Sequence, residues 1–254
     1  MRYIRWLLYV ILFFWVLLSG PVMVLLFGNI TTDNTWQDKQ NSRANLAPPT
    51  TIPQAVIQIY AARSFGWQGA FTVDTWIVSK RLQATHYTLY QVVGWYQQMN
   101  ASVLTMQRLS EKQAPDNYWY GQPPFLLADL RGGEEVDALI DRLENAAVAY
   151  PYKNTYRTWL GPNSNTFTAY IARQLPELRV DMPTTAMGKD FLPNGDIFAV
   201  APSGSGGQIS LYGIIGLTLA VNEGIEFNFI GLHFGLDLFD MAIRFPGVGR
   251  IGFE

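Results

Sequence analysis

Ser164 is the residue whose setting suggests chemistry. It stands in Tyr156–Phe167 (YRTWLGPNSNTF), just after a Gly-Pro turn and at the start of an apolar-periodic run. A helix opening there offers unpaired N–H groups and a partial positive charge, which can stabilise an oxyanion or activate a nucleophile. A serine hydroxyl attacks poorly unless a base takes its proton. The chain has two histidines, His86 and His233, and His86 is the nearer in sequence. If the hairpin turn at 80–85 is tight, Asp74 and His86 become cross-strand neighbours and complete an Asp–His–Ser relay. The length of that turn favours separation instead. The structural alternative makes Ser164 a helix cap worth ~1 kcal/mol and His86 a strand-edge residue. Asp74 is then a buried carboxylate satisfied by backbone N–H groups or by an arginine such as Arg157.

Three other features compete. Asp116–Gly121 (DNYWYG) could present Trp119 as an aromatic platform for sugar rings, or Trp119 could simply fill the core. Glu223, Glu226, His233 and Asp237 suggest a metal, but His233 and Asp237 are four residues apart on one strand, about 13 Å at 3.3 Å per residue. They cannot share an ion, so neither metal nor cofactor is expected. The Ser203–Gly207 loop lacks the lysine and spacing of a phosphate loop. The absence of cysteine excludes a disulfide framework, a thiolate metal site and a cysteine nucleophile. From Gln54 onward the chain carries 14 basic and 18 acidic residues with no basic cluster, which argues against a nucleic-acid partner.

The elements that must position these residues follow from hydropathy. Residues 1–5 hold Arg2 and Arg5, and residues 6–27 form an apolar run of about 33 Å as a helix, enough to cross a bilayer. The run is longer than a signal-peptide core and ends without an Ala-x-Ala-like site, so an uncleaved anchor is expected. The two arginines put the N-terminus in the cytoplasm and the body outside. Residues 28–53 are polar and proline-containing and read as an extended stalk. Residues 54–254 read as one globular extracytoplasmic domain.

Within that body, 55–60, 70–79 and 87–95 read as strands. Residues 134–150 and 164–175 read as helices. Residues 209–221 read as a buried strand, and 225–238 as a strand with a parity slip at Ile230 suggestive of a bulge. The class is α+β with antiparallel strands.

The strings AFTVDTWI (70–77), YPY (150–152) and GPNSNTF (161–167), with PEL (176–178) and GKD (188–190), resemble an uncharacterised bacterial membrane-anchored family, domain of unknown function family 3750. The resemblance extends to the glycine-rich C-terminal strands and supplies no activity. More distantly, the body is similar to the permuted branch of the papain-like fold, which includes lecithin retinol acyltransferase and cell-wall amidases. That resemblance implies a papain-like mixed domain in which Asn163-Ser164 occupies the nucleophile position, with serine for cysteine, and Asp74 the place of the strand histidine. The expectation is a single-pass protein of the bacterial inner membrane whose body binds an envelope ligand or protein without catalysis, with Asn163 and Trp119 as ligand contacts. The alternative is a serine-dependent hydrolase or acyltransferase.

Overall fold

The computed structural model describes residues 2–28, 30 and 42–252. Helix α1 (Arg2–Phe27) is one uninterrupted apolar helix with a mean hydropathy of 2.6 in its most apolar stretch, long enough to cross a membrane. Residues 29 and 31–41 of the expected stalk lie outside the described residues, but 42–53 does not stand free. Arg43 bridges Asn117, the amides of Leu46 and Ala47 donate to Asp116 Oδ2, and Lys80 Nζ donates to the carbonyls of Ile52 and Gln54. The prolines hold this segment extended, and the body supplies partners for the backbone groups they leave bare.

The first half of the body is a five-stranded antiparallel sheet. Its strands are β1 (Ala55–Arg63), β2 (Val73–Lys80), β3 (Thr88–Val92), β4 (Leu104–Arg108) and β5 (Phe125–Gly132), in the order β4-β3-β2-β1-β5, and the short helix α2 (Trp95–Gln98) lies between β3 and β4. Strand β1 lies between β2 and β5 and is buried on both faces, which explains its near-continuous apolar run. Helices α3 (Glu134–Ala149) and α4 (Ser164–Gln174) cover one face, where Ile57, Ile59 and Ile77 meet Ile140, Leu143 and Phe167. The other face packs Tyr60, Trp76 and Val78 under the 42–53 segment and the loop around Trp119.

The second half is a meander of seven strands, β6 (Phe198–Val200), β7 (Gly206–Leu211), β8 (Ile215–Ala220), β9 (Gly224–Phe229), β10 (Leu232–Asp237), β11 (Ala242–Phe245) and β12 (Gly249–Ile251), paired in sequence order. The 209–221 stretch is therefore not one buried strand. Tyr212 and Gly213 both take positive φ, close a two-residue turn and split it into two, and Ile209, Leu217 and Leu219 face outward. The slip at Ile230 has the same cause. Ile230 and Gly231 are a hairpin turn with positive φ at both positions, not a bulge.

Candidate functional site

Helix α4 is aimed by its cap. Asn163 Oδ1 accepts from the Thr166 amide at 3.1 Å while Thr166 Oγ1 accepts from the Asn163 amide at 3.1 Å, a reciprocal capping box. Asn163 Nδ2 donates to the carbonyls of Thr158 and Met187. The side chain of Asn163 is thus occupied in holding the helix start, at the lining of the cleft. Asn165 Nδ2 donates to the Val73 carbonyl at 2.8 Å, and Thr75 Oγ1 donates to Thr168 Oγ1 at 2.9 Å, fastening α4 across β2.

Because Asn163 is the cap, Ser164 is not. Its hydroxyl is directed outward from the first turn and donates to Asp74 Oδ1 at 3.2 Å. Asp74 Oδ2 accepts from Ser64 Oγ at 2.7 Å and from the Trp119 indole N–H at 2.9 Å. No arginine pairs with this carboxyl among the described residues; three neutral donors hold it. Burial pushes the Asp74 carboxyl above its ordinary value, and the bonds from Ser64, Trp119 and Ser164 only partly oppose that.

These groups sit in a cleft of about 380 Å³, lined also by Phe65, Trp95, Tyr120, Tyr156 and Gln97. Trp119 belongs to a stacked series. Tyr60 lies on Trp76 at 5.6 Å, Trp76 on Trp119 at 5.8 Å, and Trp119 on Trp95 at 6.4 Å between ring centroids. Trp119 thus continues the aromatic packing of the core, and its indole N–H meets Asp74. Burial and the nearby Asp74 raise the Tyr120 hydroxyl to about 12.

His86 is elsewhere. With Ser79 opposite Thr88 and Ile77 opposite Tyr90, the strand register carries His86 seven residues beyond Asp74's level, roughly 23 Å along the strand at 3.3 Å per residue. It lines a separate hollow of about 680 Å³ with Arg108, Glu111 and Asp116. Burial and Arg108 hold its ring below the ordinary histidine value. The Asp–His–Ser relay is therefore not formed.

The acidic residues near the C-terminus also separate into distinct roles. Glu223 accepts from the Ser203 amide and hydroxyl. Asp190, Glu226 and His233 do converge, with ligand atoms within 4.8 Å of one another. However, Lys189 Nζ bonds both Asp190 Oδ1 and Glu226 Oε1, and His233 Nε2 meets Asp190 Oδ2 at 2.8 Å. The ammonium takes the place a metal cation would need. Burial opposes the Lys189 charge, and Asp190 and Glu226 more than offset it, so its value rises.

Ser64, Trp95 and Tyr156 were not singled out from sequence. Ser64 reaches Asp74 because Arg63 pairs with Val73 at the loop end of the β1–β2 hairpin, a register that residue types alone do not disclose. A family model described as a protein of unknown function (DUF3750) matches residues 54–191. The chain belongs to that family. The DUF3750 match holds the whole Asp74–Ser164 cleft and stops before β6, so the meander lies outside it. No curated protein and no solved structure matches the chain significantly.

Asp74 gives a direct pH test. A raised carboxyl holds its proton more tightly in the folded than in the unfolded chain. The associated stability is complete below the ordinary value of 3.8 and is lost as pH rises through the raised one. Asp74→Asn keeps the shape without the ionisation. Denaturant melts from about pH 4 to pH 7 should show a flatter stability profile for the variant than for the parent. Parallel profiles would mean that the Asp74 carboxyl is not shifted.

Proposed function

We propose that the DUF3750 body is a non-catalytic, papain-like binding module that takes the neutral polar groups of a bacterial cell-envelope ligand, glycan hydroxyls and peptide amides, in the Asp74–Ser164 cleft. The observation that carries this reading is the bonding of Ser164. Its hydroxyl faces a carboxyl held by three neutral donors, not an imidazole. Even a raised carboxyl is a poor proton acceptor for a serine hydroxyl, so the nucleophile lacks its activating base. The rest of the cleft suits recognition. Trp95, Trp119 and Tyr120 offer ring faces and edges, and Gln97, Gln98 and Thr158 offer neutral donors and acceptors. A helix start bearing Asn163-Ser164 against a strand bearing Asp74 also agrees with the papain-like resemblance. The helix α1, with Arg2 and Arg5 at its N-terminal end, supports an inner-membrane anchor with the N-terminus inside and the body in the periplasm.

The second reading is a serine hydrolase or acyltransferase in which Asp74 accepts the Ser164 proton directly. It is favoured by the 3.2 Å contact at the mouth of an α-helix. One set of variants distinguishes the two. Full-length protein in detergent is titrated with soluble muropeptides while indole fluorescence is followed. Binding should saturate, weaken at least tenfold in Trp119→Leu, and change less than threefold in Ser164→Ala, with the muropeptide recovered intact. Muropeptide cleavage that vanishes in Ser164→Ala would establish the hydrolase instead. No saturable binding to the parent would remove the muropeptide reading of the cleft.

A further inference from the structure

The C-terminal meander is inverted relative to an ordinary sheet on a soluble protein. Its buried face carries Gln208, Ser210, Glu226, Asn228, His233 and Arg244, all at 3% exposure or less. Its outward face is apolar from one edge to the other. The strand register aligns Phe198, Ile209, Leu217, Phe227 and Phe234 in one row across five strands. A second row runs Leu219, Ile225, Leu236, Ile243, Ile251, also across five strands. Among the described residues of these strands, no outward position bears a polar or charged side chain. Exposure reaches 72% at Phe198, 52% at Leu219 and 53% at Ile243. An apolar patch of this extent on a protein surface calls for something to cover it.

Helix α1 identifies the cover. It docks beside this sheet across the ends of the strands. Phe13 and Phe14 meet Phe229 at 5.4 and 6.5 Å before the β9–β10 turn, Leu17 is buried with Leu232, and Gly20 and Pro21 sit against Pro246 and Gly247 in the β11–β12 turn. The close approach at the last contact needs the missing side chain of Gly20, because an added Cβ there would meet the Pro246 carbonyl. Helix and sheet therefore present one continuous apolar surface, and the rest of α1 is itself exposed and apolar. Whatever solvates that helix also wets the neighbouring sheet face. A second copy packed on the meander would leave the exposed α1 uncovered; acyl chains cover both.

The geometry points to the outer face of the meander being immersed in the acyl-chain region of the bilayer, so that the body rests in the membrane beside its helix. The strands are three to six residues long, short of the roughly 9–11 that a spanning strand needs. Apolar-out, polar-in alternation is the pattern of lipid-facing strands, here on an open sheet that does not span by strand length. The inward polar network is then shielded from lipid by the sheet itself.

The absence of cysteine makes the test clean. Single-cysteine variants Leu217→Cys, Phe227→Cys and Ile243→Cys, with the exposed Ser102→Cys on the five-stranded half as reference, are labelled with an environment-sensitive fluorophore in full-length protein. The labelled proteins are placed in phosphatidylcholine–phosphatidylglycerol vesicles. Acyl-chain doxyl lipid should quench the three meander labels at least threefold more than the reference, and iodide should do the reverse. Iodide quenching of the meander labels equal to that of Ser102→Cys, without doxyl quenching, would overturn the proposal. Shielding from both quenchers, with energy transfer between differently labelled copies, would overturn it in favour of a second copy on this face. The three positions are exposed, so a folding defect at one leaves the other two as independent readings.

Discussion

Replacing Lys189 with methionine is expected to destabilise the chain by about 3–5 kcal/mol, the usual consequence of removing one partner from a buried ion pair. The lysine is 1% exposed and is held between Asp190, at 3.1 Å, and Glu226. Both carboxylates lie on the inward side of the junction between the two halves of the body, with Gln208 and His233 bonding Asp190 further. Methionine fills a similar volume but leaves two negative charges without their cation. Burial disfavours the Asp190 charge, and Lys189 and His233 overcome it so that its value falls well below the usual range. Without Lys189, that carboxyl must take up a proton or admit water. Denaturant melts in detergent should shift strongly for Lys189→Met, and the shift should shrink when Glu226→Gln is added. A loss below about 1 kcal/mol would mean that the lysine is not the counter-charge of this network.

Gly188→Ala is expected to act on the cleft from behind. Gly188 has φ +97°, and a Cβ there would lie 2.5 Å from Asn163 Nδ2 and 2.6 Å from its Oδ1. Those are the atoms that cap α4 and tie it to Met187. The substitution combines backbone strain of about 1–3 kcal/mol with displacement of a cap worth ~1 kcal/mol. The helix start should shift, moving Ser164 away from Asp74. Muropeptide affinity should fall at least tenfold alongside a clear loss of stability. Gly207→Ala is the matched control, since a Cβ at Gly207 meets nothing within 4 Å. If Gly188→Ala bound and melted like Gly207→Ala, the cap would not be what positions the site.

The two helices of the core were readable because their signals are local. Val136, Ile140, Leu143 and Ala147 recur at helical spacing and are the residues buried in α3. The Gly-Pro pair before Asn163 marks the start of α4, although the cap proved to be Asn163 and not Ser164. Ninety residues separate Asp74 from Ser164, and no local pattern states that they meet directly; the relay expected between them placed a histidine in the gap that the structure leaves out. The failure of His86 is a matter of register. A hairpin with several residues in its turn fixes which positions face each other, and residue types at the turn do not state that count. The inverted meander was hidden for another reason. Alternation of apolar and polar residues marks a strand with two different faces but does not say which face meets water. Only the assembled protein, with Lys189 and Asp190 against the polar side, assigns inside and outside.

The pairing of strands in sequence order has a further consequence for the order of assembly. In the meander each strand lies beside its chain neighbour, joined by hairpins such as Leu211–Ile215. Closing such short loops costs little chain entropy, and each hairpin can add to the last as residues 198–251 emerge. The five-stranded sheet must instead bring Gly132 back to Ala55 before β1 has both partners. That long-range closure sets the slower step. The half that carries the cleft thus depends on distant contacts, whereas the half that carries the apolar face can zip locally, neighbour by neighbour.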